Sequence, residues 1–335
     1  TIFYINFLRH FTDFMIYFLI VMYLEVFMYY FIVNPSANRG HGEKVWRELE
    51  RCLRNSEVEY EVWMTQSPGD AAGFARRLQK GNREPQAIVV VGGSGTLNET
   101  LNGLSLDEEV TLGYIPAGMG NDFARGLKLP RSPKRCLKRI LNSRYYRCLD
   151  YGVLSYENGA PVHRRFAVSS GLGLDAAVYG NLPEGAGKRR LRPAVSGRLG
   201  YLLPGLRQLF WAAPVRGYLL LDGTKKIEFN HIYFISAHIH PYESGGFRFA
   251  PKANGSDGLL ELCVVHNSSK TGLFPVLTDA LLGKTGRRRG VRFYSCREAK
   301  IHVERPMPVH ADGENCYYQT DIHLRCIEKA VRMIV

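Results

Sequence analysis

Apolar residues recur along this chain in two different rhythms. In the first half, short continuous runs, Tyr29 to Val33, Ala87 to Val91 and Val110 to Ile115, each stop at a cluster of Gly, Pro, Asn or Ser. Runs of that length bounded by breakers predict strands buried on both faces. Glu59 to Met64 predicts one more strand. Between these runs the spacing changes to that of helices: Trp46, Leu49 and Leu53 fall on one face of Glu43 to Arg54, and Thr65 to Asp70 caps a helix reaching about Gln79. Strands alternating with helices predict a parallel sheet, whose ligand site lies at the carboxyl ends of the strands. The turns after Val33, Met64, Val91 and Ile115 are then expected on one edge.

After about Cys148 the rhythm shortens. Leu149 to Leu154, Arg165 to Ser170, Val215 to Leu221, Ile227 to Ala237, Leu259 to His266, Arg292 to Ser295, Lys300 to Val303 and Asp321 to Cys326 are strand-like and separated by Gly, Asn or Asp turns. Leu199 to Trp211 and Gly272 to Leu282 are the helical stretches of this half. The pattern predicts an α/β domain over residues 28–144 with a parallel sheet, then an antiparallel β-sandwich over residues 145–335, leaving open a C-terminal tail that returns to the first domain.

Residues 1–27 belong to neither rhythm. Phe14 to Leu24 is continuously apolar before Glu25 interrupts it, and a membrane span needs about 20 such residues. Because Met28 stands directly before the first strand, the preferred expectation is that Met28 is the natural start and that the upstream piece is an extension; the other is a short membrane anchor.

Composition narrows the partners. The 335 residues are 45% hydrophobic, ample for a large core, and the net charge of +13 calls for an anionic partner: nucleotide phosphates, nucleic acid or an acidic membrane surface. Seven cysteines with no CxxC pair indicate neither a disulfide framework nor a zinc site, and a reducing cytosol suits them.

The stretch AIVVVGGSGTLNE, Ala87 to Glu99, carries the most specific chemistry. A buried strand runs into Gly92, Gly93 and Gly95 and then into Thr96-Leu97-Asn98-Glu99, which starts a helix. Glycines let backbone approach a cluster of charged oxygens, and the free N–H groups of a first helical turn favour an anion there. An ordinary β–α turn is the plainer reading of the same residues.

Seven segments in order decide the matter: NPSANRG at Asn34, Thr65 with Gly69-Asp70-Ala71, GGSGTLNE at Gly92, PAGMGNDFAR at Pro116, GLGLDAAV at Gly171, SGGFRFAPKANGSDGLLE at Ser244 and ADGE at Ala311. With these in view the sequence resembles the diacylglycerol kinase catalytic-domain family, of the bacterial diacylglycerol and lipid kinase type, related to sphingosine kinases and NAD kinases. The resemblance covers nearly all of residues 28–335 and implies a nucleotide-binding α/β domain followed by a β-sandwich, with the active site in the cleft between them.

It also implies site residues. Asn34, Thr65, Gly92, Gly93, Ser94, Gly95, Thr96, Leu97, Asn98 and Met119 fall on the ATP-binding set, with short side chains and backbone N–H groups facing the phosphates. Glu314 is the expected general base, with Asp122 beside it; read alone, Glu314 is a turn carboxylate after Asp312-Gly313 and Asp122 a helix cap. Asp257, with the carbonyls of Asn254 and Leu259, matches a structural Mg²⁺ loop, for which a plain Asp-Gly turn is the other reading. A catalytic Mg²⁺ would arrive separately with ATP.

Three positions depart from the family pattern. Ser94 replaces the Asp of GGDGT, Met119 replaces a hydroxyl residue, and Val168 replaces an Asn before the GxGxD segment. Ser94 removes a negative charge near the phosphates; losing a charge-assisted contact of about 1.5 to 3 kcal/mol slows a reaction roughly 10- to 150-fold.

The resulting expectation is an ATP-dependent lipid kinase acting on a hydroxyl of diacylglycerol or a similar lipid in phospholipid biosynthesis, cytoplasmic and peripheral to the inner membrane face. A lipid- and nucleotide-binding protein that no longer transfers phosphate is the alternative, and a sugar or NAD kinase is a distant third. Lys188, Arg189, Arg190 and Arg192 precede Leu199 to Trp211, and Lys284 with Arg287 to Arg289 follow Leu281-Leu282, which suits docking on anionic lipid; solvated loops are the plainer reading. No nucleic-acid module accompanies the basic residues. His238 and His240 share a strand face without a third ligand nearby, so an ordinary strand is preferred to a metal site. A homo-oligomer stays open.

Overall fold

Four parallel strands form the frame of the first half: β1 (Met28–Val33), β2 (Tyr60–Met64), β3 (Gln86–Gly92) and β4 (Thr111–Pro116), side by side in the order β4-β3-β1-β2. The computed structural model describes residues 28–56, 58–81, 86–105, 110–143, 145–180, 213–243, 245–285 and 288–335. Residues 1–27, the basic run at 188–192, the stretch 199–211 and Arg287 lie outside these described residues. No helix among the described residues is long and apolar enough to cross a membrane.

The continuous apolar runs follow from burial on both faces of the sheet. Alternate residues Tyr30, Ile32, Ile88, Val90, Leu112 and Tyr114 pack against α2 (Asp70–Gly81) and α3 (Ser94–Gly103) through Ala71, Ala75, Leu78, Leu97 and Leu101. The other set, Tyr29, Phe31, Val33, Val89, Val91 and Ile115, packs against α1 (Ala37–Leu53) and α5 (Pro133–Leu141). Between them α4 (Asp122–Gly126) is a short turn of helix. The α1 segment begins with Asn38, Arg39 and Gly40 in left-handed conformation, so its regular turns start only beyond the breaker-rich stretch. Helix α5 was not anticipated, although it buries Cys136, Leu137 and Ile140 on one face.

The second half is antiparallel. Strands β5 (Tyr146–Glu157), β6 (Pro161–Phe166), β7 (Ser169–Gly173), β8 (Val215–Leu221), β9 (Lys225–His238), β10 (Leu260–His266), β11 (Val291–Cys296), β12 (Glu298–Ala311) and β13 (Glu314–Ile334) pair through antiparallel ladders around a core that includes Leu154, Phe166, Leu172, Leu219, Ile235, Leu262 and Val309. Helix α7 (Lys270–Leu282) is capped by Ser269 Oγ, which accepts from Gly272 N at 3.0 Å, and ends at Gly283 with φ 68°.

Three expectations change. The strand expected over Arg165 to Ser170 is two strands, because the amides of Ala167, Val168 and Ser169 turn to a carboxylate instead of a neighbouring strand. Helix α6 (Leu174–Gly180) follows the GLG segment where no helix was read. The short strands at Lys300 to Val303 and Asp321 to Cys326 are the middles of β12 and β13, two arms of one hairpin whose alternation is interrupted by shifts in register between His302 and Met307 and between Pro308 and His310.

The chain ends by crossing back. Arg332 and Met333 pair in parallel with Thr111 and Leu112 of β4, while Val331 to Ile334 pair antiparallel with β5. One hydrogen-bonded path of strands therefore runs through both halves, and it fixes how the glycine turns of the first meet the loops of the second.

Candidate active site

The register of the parallel sheet assembles the expected turns. Val33 stands opposite Val91 and Met64, and Gly92 opposite Pro116, so the residues that follow each strand emerge at one carboxyl edge. Asn34 Nδ2 donates to Thr96 Oγ1 at 3.0 Å, tying the turn after β1 to the first turn of α3. Thr65 is buried beside them, its amide held by Val33 O at 2.9 Å.

Glycine is required where the turns after β3 and β4 touch. A Cβ on Gly118 would lie 2.7 Å from Gly93 Cα, and one on Gly92 would lie 2.7 Å from Thr96 Oγ1. Both are closer than real side chains come: at Gly118 the two turns meet backbone to backbone, and at Gly92 the Thr96 side chain fills the space. Asn121 closes the second turn, accepting from Gly118 N at 3.1 Å and donating to Gly118 O at 2.9 Å. Ser94 is exposed at the start of α3, whose N-cap is Gly93. By helix geometry the amides of Ser94, Gly95 and Thr96 have no partner within the helix, and the first one bonded back is Leu97 N to Gly93 O at 3.2 Å. Exposed Met119 stands at the rim. The result is an anion cradle of backbone N–H groups.

Two residues expected to face phosphate do not. Leu97 is 3% exposed, packs in the core and has its amide taken by Gly93 O. Asn98 is fully buried, and its Nδ2 donates to Arg165 O at 2.9 Å and to Asp312 Oδ2 at 2.8 Å. Both sit on the inner face of α3, so the middle of TLNE, Leu97-Asn98, is a brace for the turn rather than part of its surface.

The brace meets the turn that carries Glu314. Asp312 and Gly313, with φ 50° and 86°, form the tight turn between β12 and β13. The Asp312 carboxylate accepts from Ala167 N at 2.6 Å, Val168 N at 2.8 Å and Ser169 N at 3.0 Å as well as from Asn98. Burial pushes its pKa up, and these donors pull against that rise. Glu314 follows as an exposed residue whose Oε1 lies 3.4 Å from where a Cβ on Gly95 would stand. The hairpin-turn reading of Glu314 therefore describes its backbone, while its side chain lies beside the glycine turn.

Asp122 joins the halves on the other side. Its Oδ2 accepts from Gly245 N at 2.8 Å and its Oδ1 pairs with Arg125 Nη1 at 3.1 Å, in a residue only 9% exposed. Arg125 and Arg248 both stack on Tyr242, 5.5 and 5.3 Å from its centroid, placing two cations on this flank. Sequence reasoning also missed Glu99, whose Oε2 accepts from Gly69 N at 3.0 Å; burial raises its pKa, and the negative charge of Glu314 adds to the rise.

The loop of Asn254, Asp257 and Leu259 lies apart from the cradle. Asp257 Oδ1 accepts from Leu259 N at 3.1 Å, Asn254 O accepts from Ser256 N at 2.7 Å, and Gly258 N donates to Asp150 at 2.8 Å. The loop is thus a closed turn tied to β5, and its exposed Asp257 carboxylate, with the carbonyls of Asn254 and Leu259, offers hard oxygen donors of the type that suits magnesium. His238 and His240 diverge: His238 Nε2 is 2.9 Å from Ser236 Oγ, whereas His240 stacks edge-on against Phe123 at 5.2 Å. Among the described residues, the cluster with metal-ligand geometry is Asp175, Glu243 and His310, which includes neither.

Comparison with known proteins bears on this assembly. Residues 28–150 match the family model described as diacylglycerol kinase catalytic domain, and residues 168–335 match the YegS C-terminal NAD kinase beta sandwich-like domain. The chain belongs to the diacylglycerol kinase catalytic-domain family, in its YegS-like lipid kinase branch. It is 27% identical over 293 residues to YtlR of Bacillus subtilis (strain 168), which bears a lipid kinase name, covering 85% of this chain and 93% of that one. It is 29% identical over 285 residues to the diacylglycerol kinase of Mycobacterium tuberculosis (strain ATCC 25618 / H37Rv), covering 84% and 87%. The crystal structure of a diacylglycerol kinase from Bacillus anthracis str. Sterne matches with a TM-score of 0.67 at 19% identity over 92% of this chain and 96% of that one, a likeness of fold.

Two measurements probe this arrangement. Asp312→Ala leaves the buried amides of Ala167, Val168 and Ser169 without their acceptor; at about 1 to 3 kcal/mol each, denaturant unfolding should show a loss of roughly 3 kcal/mol or more, with Asp312→Asn milder because its carbonyl still accepts. Burial drives His240 from 6.5 to a pKa of about 4. The unfolded chain therefore takes up a proton that the folded chain refuses, and stability falls as pH drops through that window by about 1.4 kcal/mol per unit for each such proton. His240→Leu should flatten the acid limb of the stability curve by one proton.

Proposed function

We propose that this protein is an ATP-dependent lipid kinase that transfers the γ-phosphate to a hydroxyl of diacylglycerol or a similar amphiphile, with Glu314 as the general base. The observation that carries the reading is the Glu314 carboxylate, carried by the antiparallel half, beside Gly95 at the open end of α3. Phosphoryl transfer needs positioning and charge neutralisation more than covalent participation by the protein. The cradle supplies the first through the amides at 93–96 with Asn34, Thr65 and the Met119 rim. Glu314 takes the proton of the acceptor hydroxyl as its oxygen forms the new bond to γ-phosphorus, while the bond to the β–γ bridging oxygen breaks and ADP leaves.

Asp122 links the turn after β4 to the second half through its hydrogen bond from Gly245 N. Its two oxygens already hold Gly245 and Arg125, which suits it to shaping the acceptor end with Arg125 and Arg248. Magnesium supplies charge neutralisation when bound with the nucleotide. A second, structural ion would be held by Asp257 with the carbonyls of Asn254 and Leu259.

The acceptor is reached from an anionic lipid surface. Helix α7 exposes Phe274 and Leu282, 49% and 65% accessible, and exposed Lys284, Arg288 and Arg289 follow it. Asp279 already pairs with Arg288, so Lys284 and Arg289 carry more of the attraction. A cytoplasmic location at the inner membrane face accords with this surface.

Labelled ATP and a panel of diacylglycerol, monoacylglycerol and sphingoid bases in mixed micelles test the reading. A phosphorylated lipid is expected, and Glu314→Ala should lower kcat by roughly 10²- to 10⁴-fold with little change in KM for ATP. Wild-type turnover in Glu314→Ala, or phosphorylation of sugars or NAD in place of lipids, overturns it. Ser94→Asp restores a carboxylate at the cradle and should raise turnover by roughly tenfold or more, read in the same assay.

A further inference from the structure

We infer that Asp175 and His310 are positioning residues that hold the Asp312-Gly313 turn, and through it the Glu314 carboxylate, against the glycine cradle. This extends the reading of Glu314 as general base and rests on it. The pair lies entirely behind the groove, with side chains 5% and 1% exposed.

The hydrogen bonds fix the state of the ring. Gly313 N donates to His310 Nδ1 at 3.1 Å, so Nδ1 presents its lone pair and the ring proton resides on Nε2. That N–H points at Asp175 Oδ2, 2.9 Å away. Glu243, 1% exposed, completes the cluster, facing Asp175, the Ser169 side chain and His238 Nε2, the last 3.6 Å from its Oε2. A buried anion is costly, and burial together with the charge on Asp175 pushes the Glu243 pKa well up. As the neutral acid, Glu243 donates its proton to Asp175. Burial works against charge on Asp175 too, but His310 and Glu243 outweigh it, and the Asp175 pKa stays below its ordinary value.

The network is therefore a directed chain: the Glu243 O–H and the His310 Nε2–H both point at Asp175, and the far side of the ring accepts from Gly313. The same tautomer argues against a metal ion in this cluster, since a ligand would need the Nε2 lone pair and would put the ring proton on Nδ1, facing the Gly313 N–H. Space is reserved for the pair, because a Cβ on Gly171 would lie 2.2 Å from Asp175 Oδ2 and 2.7 Å from His310 Nε2. Consecutive residues of the turn are thus pinned separately, Asp312 by the amides of 167–169 and Gly313 by His310. Both have left-handed φ, and Glu314 is the next residue.

Substitutions at His310 separate positioning from bulk packing. His310→Asn places Oδ1 near the position of Nδ1 and keeps an acceptor for Gly313 N. His310→Gln places its amide nitrogen near Nε2 and keeps the donor to Asp175 while losing that acceptor. The Gln variant should lose kcat by roughly 10- to 100-fold with KM for ATP unchanged and with faster hydrogen exchange at the Gly313 amide; the Asn variant should retain most of both. Asp175→Asn is the second probe: Glu243 claims the amide oxygen, the amide nitrogen faces Nε2, the ring tautomer reverses and Nδ1–H confronts Gly313 N–H, so kcat should fall as in His310→Gln. Equal losses in the Asn and Gln variants, or Gly313 exchange unmoved by either, overturn the proposal. Exchange at Gly313 does not depend on activity. If it follows the Asn and Gln pair while Glu314→Ala proves silent, the pin stands and the base assignment alone falls.

Discussion

The Asp312 carboxylate is the point on which the arrangement of the site depends. Its two oxygens gather the amides of Ala167, Val168 and Ser169 and the Asn98 side chain, four donors drawn from both halves of the chain. Those amides would otherwise be unpaired in a buried break between β6 and β7, and an unpaired buried donor costs about as much as a lost hydrogen bond. The break, the hairpin turn and the inner face of α3 are thus stabilised together. Because Glu314 follows Asp312 by two residues and Asn98 lies in the first turns of α3, fixing this carboxylate also fixes the distance between an acidic side chain and the anion cradle.

The cradle has a different physical origin. Parallel strands in register bring four carboxyl ends to one edge, and the glycines at 92, 93 and 118 let the turns close on each other without side chains between them. Backbone N–H groups at a helix start attract anions whatever their chemical source. A carboxylate from the antiparallel half, Glu314, stands beside Gly95 at the start of α3, and the returning β13 tail, paired with both β4 and β5, holds the halves in one hydrogen-bonded path.

Buried polar groups behind the groove show how such a placement is kept. His310, Asp175 and Glu243 form a buried cluster in which the His310 Nε2–H points at Asp175 and Nδ1 accepts from Gly313. In a low-dielectric interior these hydrogen bonds favour one arrangement, since breaking one leaves its partners desolvated without compensation. The family resemblance covers the cradle, the DGE turn and the GLGLD segment, but membership in a lipid kinase family does not by itself explain why the turn before Glu314 is held at two successive residues.

Much of the fold was legible in the chain itself, because burial on both faces leaves continuous apolar runs and burial on one face leaves alternation. The glycine turns and the DG hairpin were legible for a related reason: positive φ and close backbone approach restrict which residues serve. The break at Ala167-Val168 was hidden because its amides are satisfied by a residue some 145 positions away. The inward direction of Leu97 and Asn98 was hidden in a motif that also carries exposed Ser94, and Glu243 and His310 carried no local signal at all. Local sequence determined which segments are strands, helices and anion-binding turns, since those depend on spacing and backbone sterics. Only the tertiary structure decided which carboxylates are buried braces and which one stands exposed beside Gly95, because burial and hydrogen-bond partners belong to the packed molecule and not to any stretch of it.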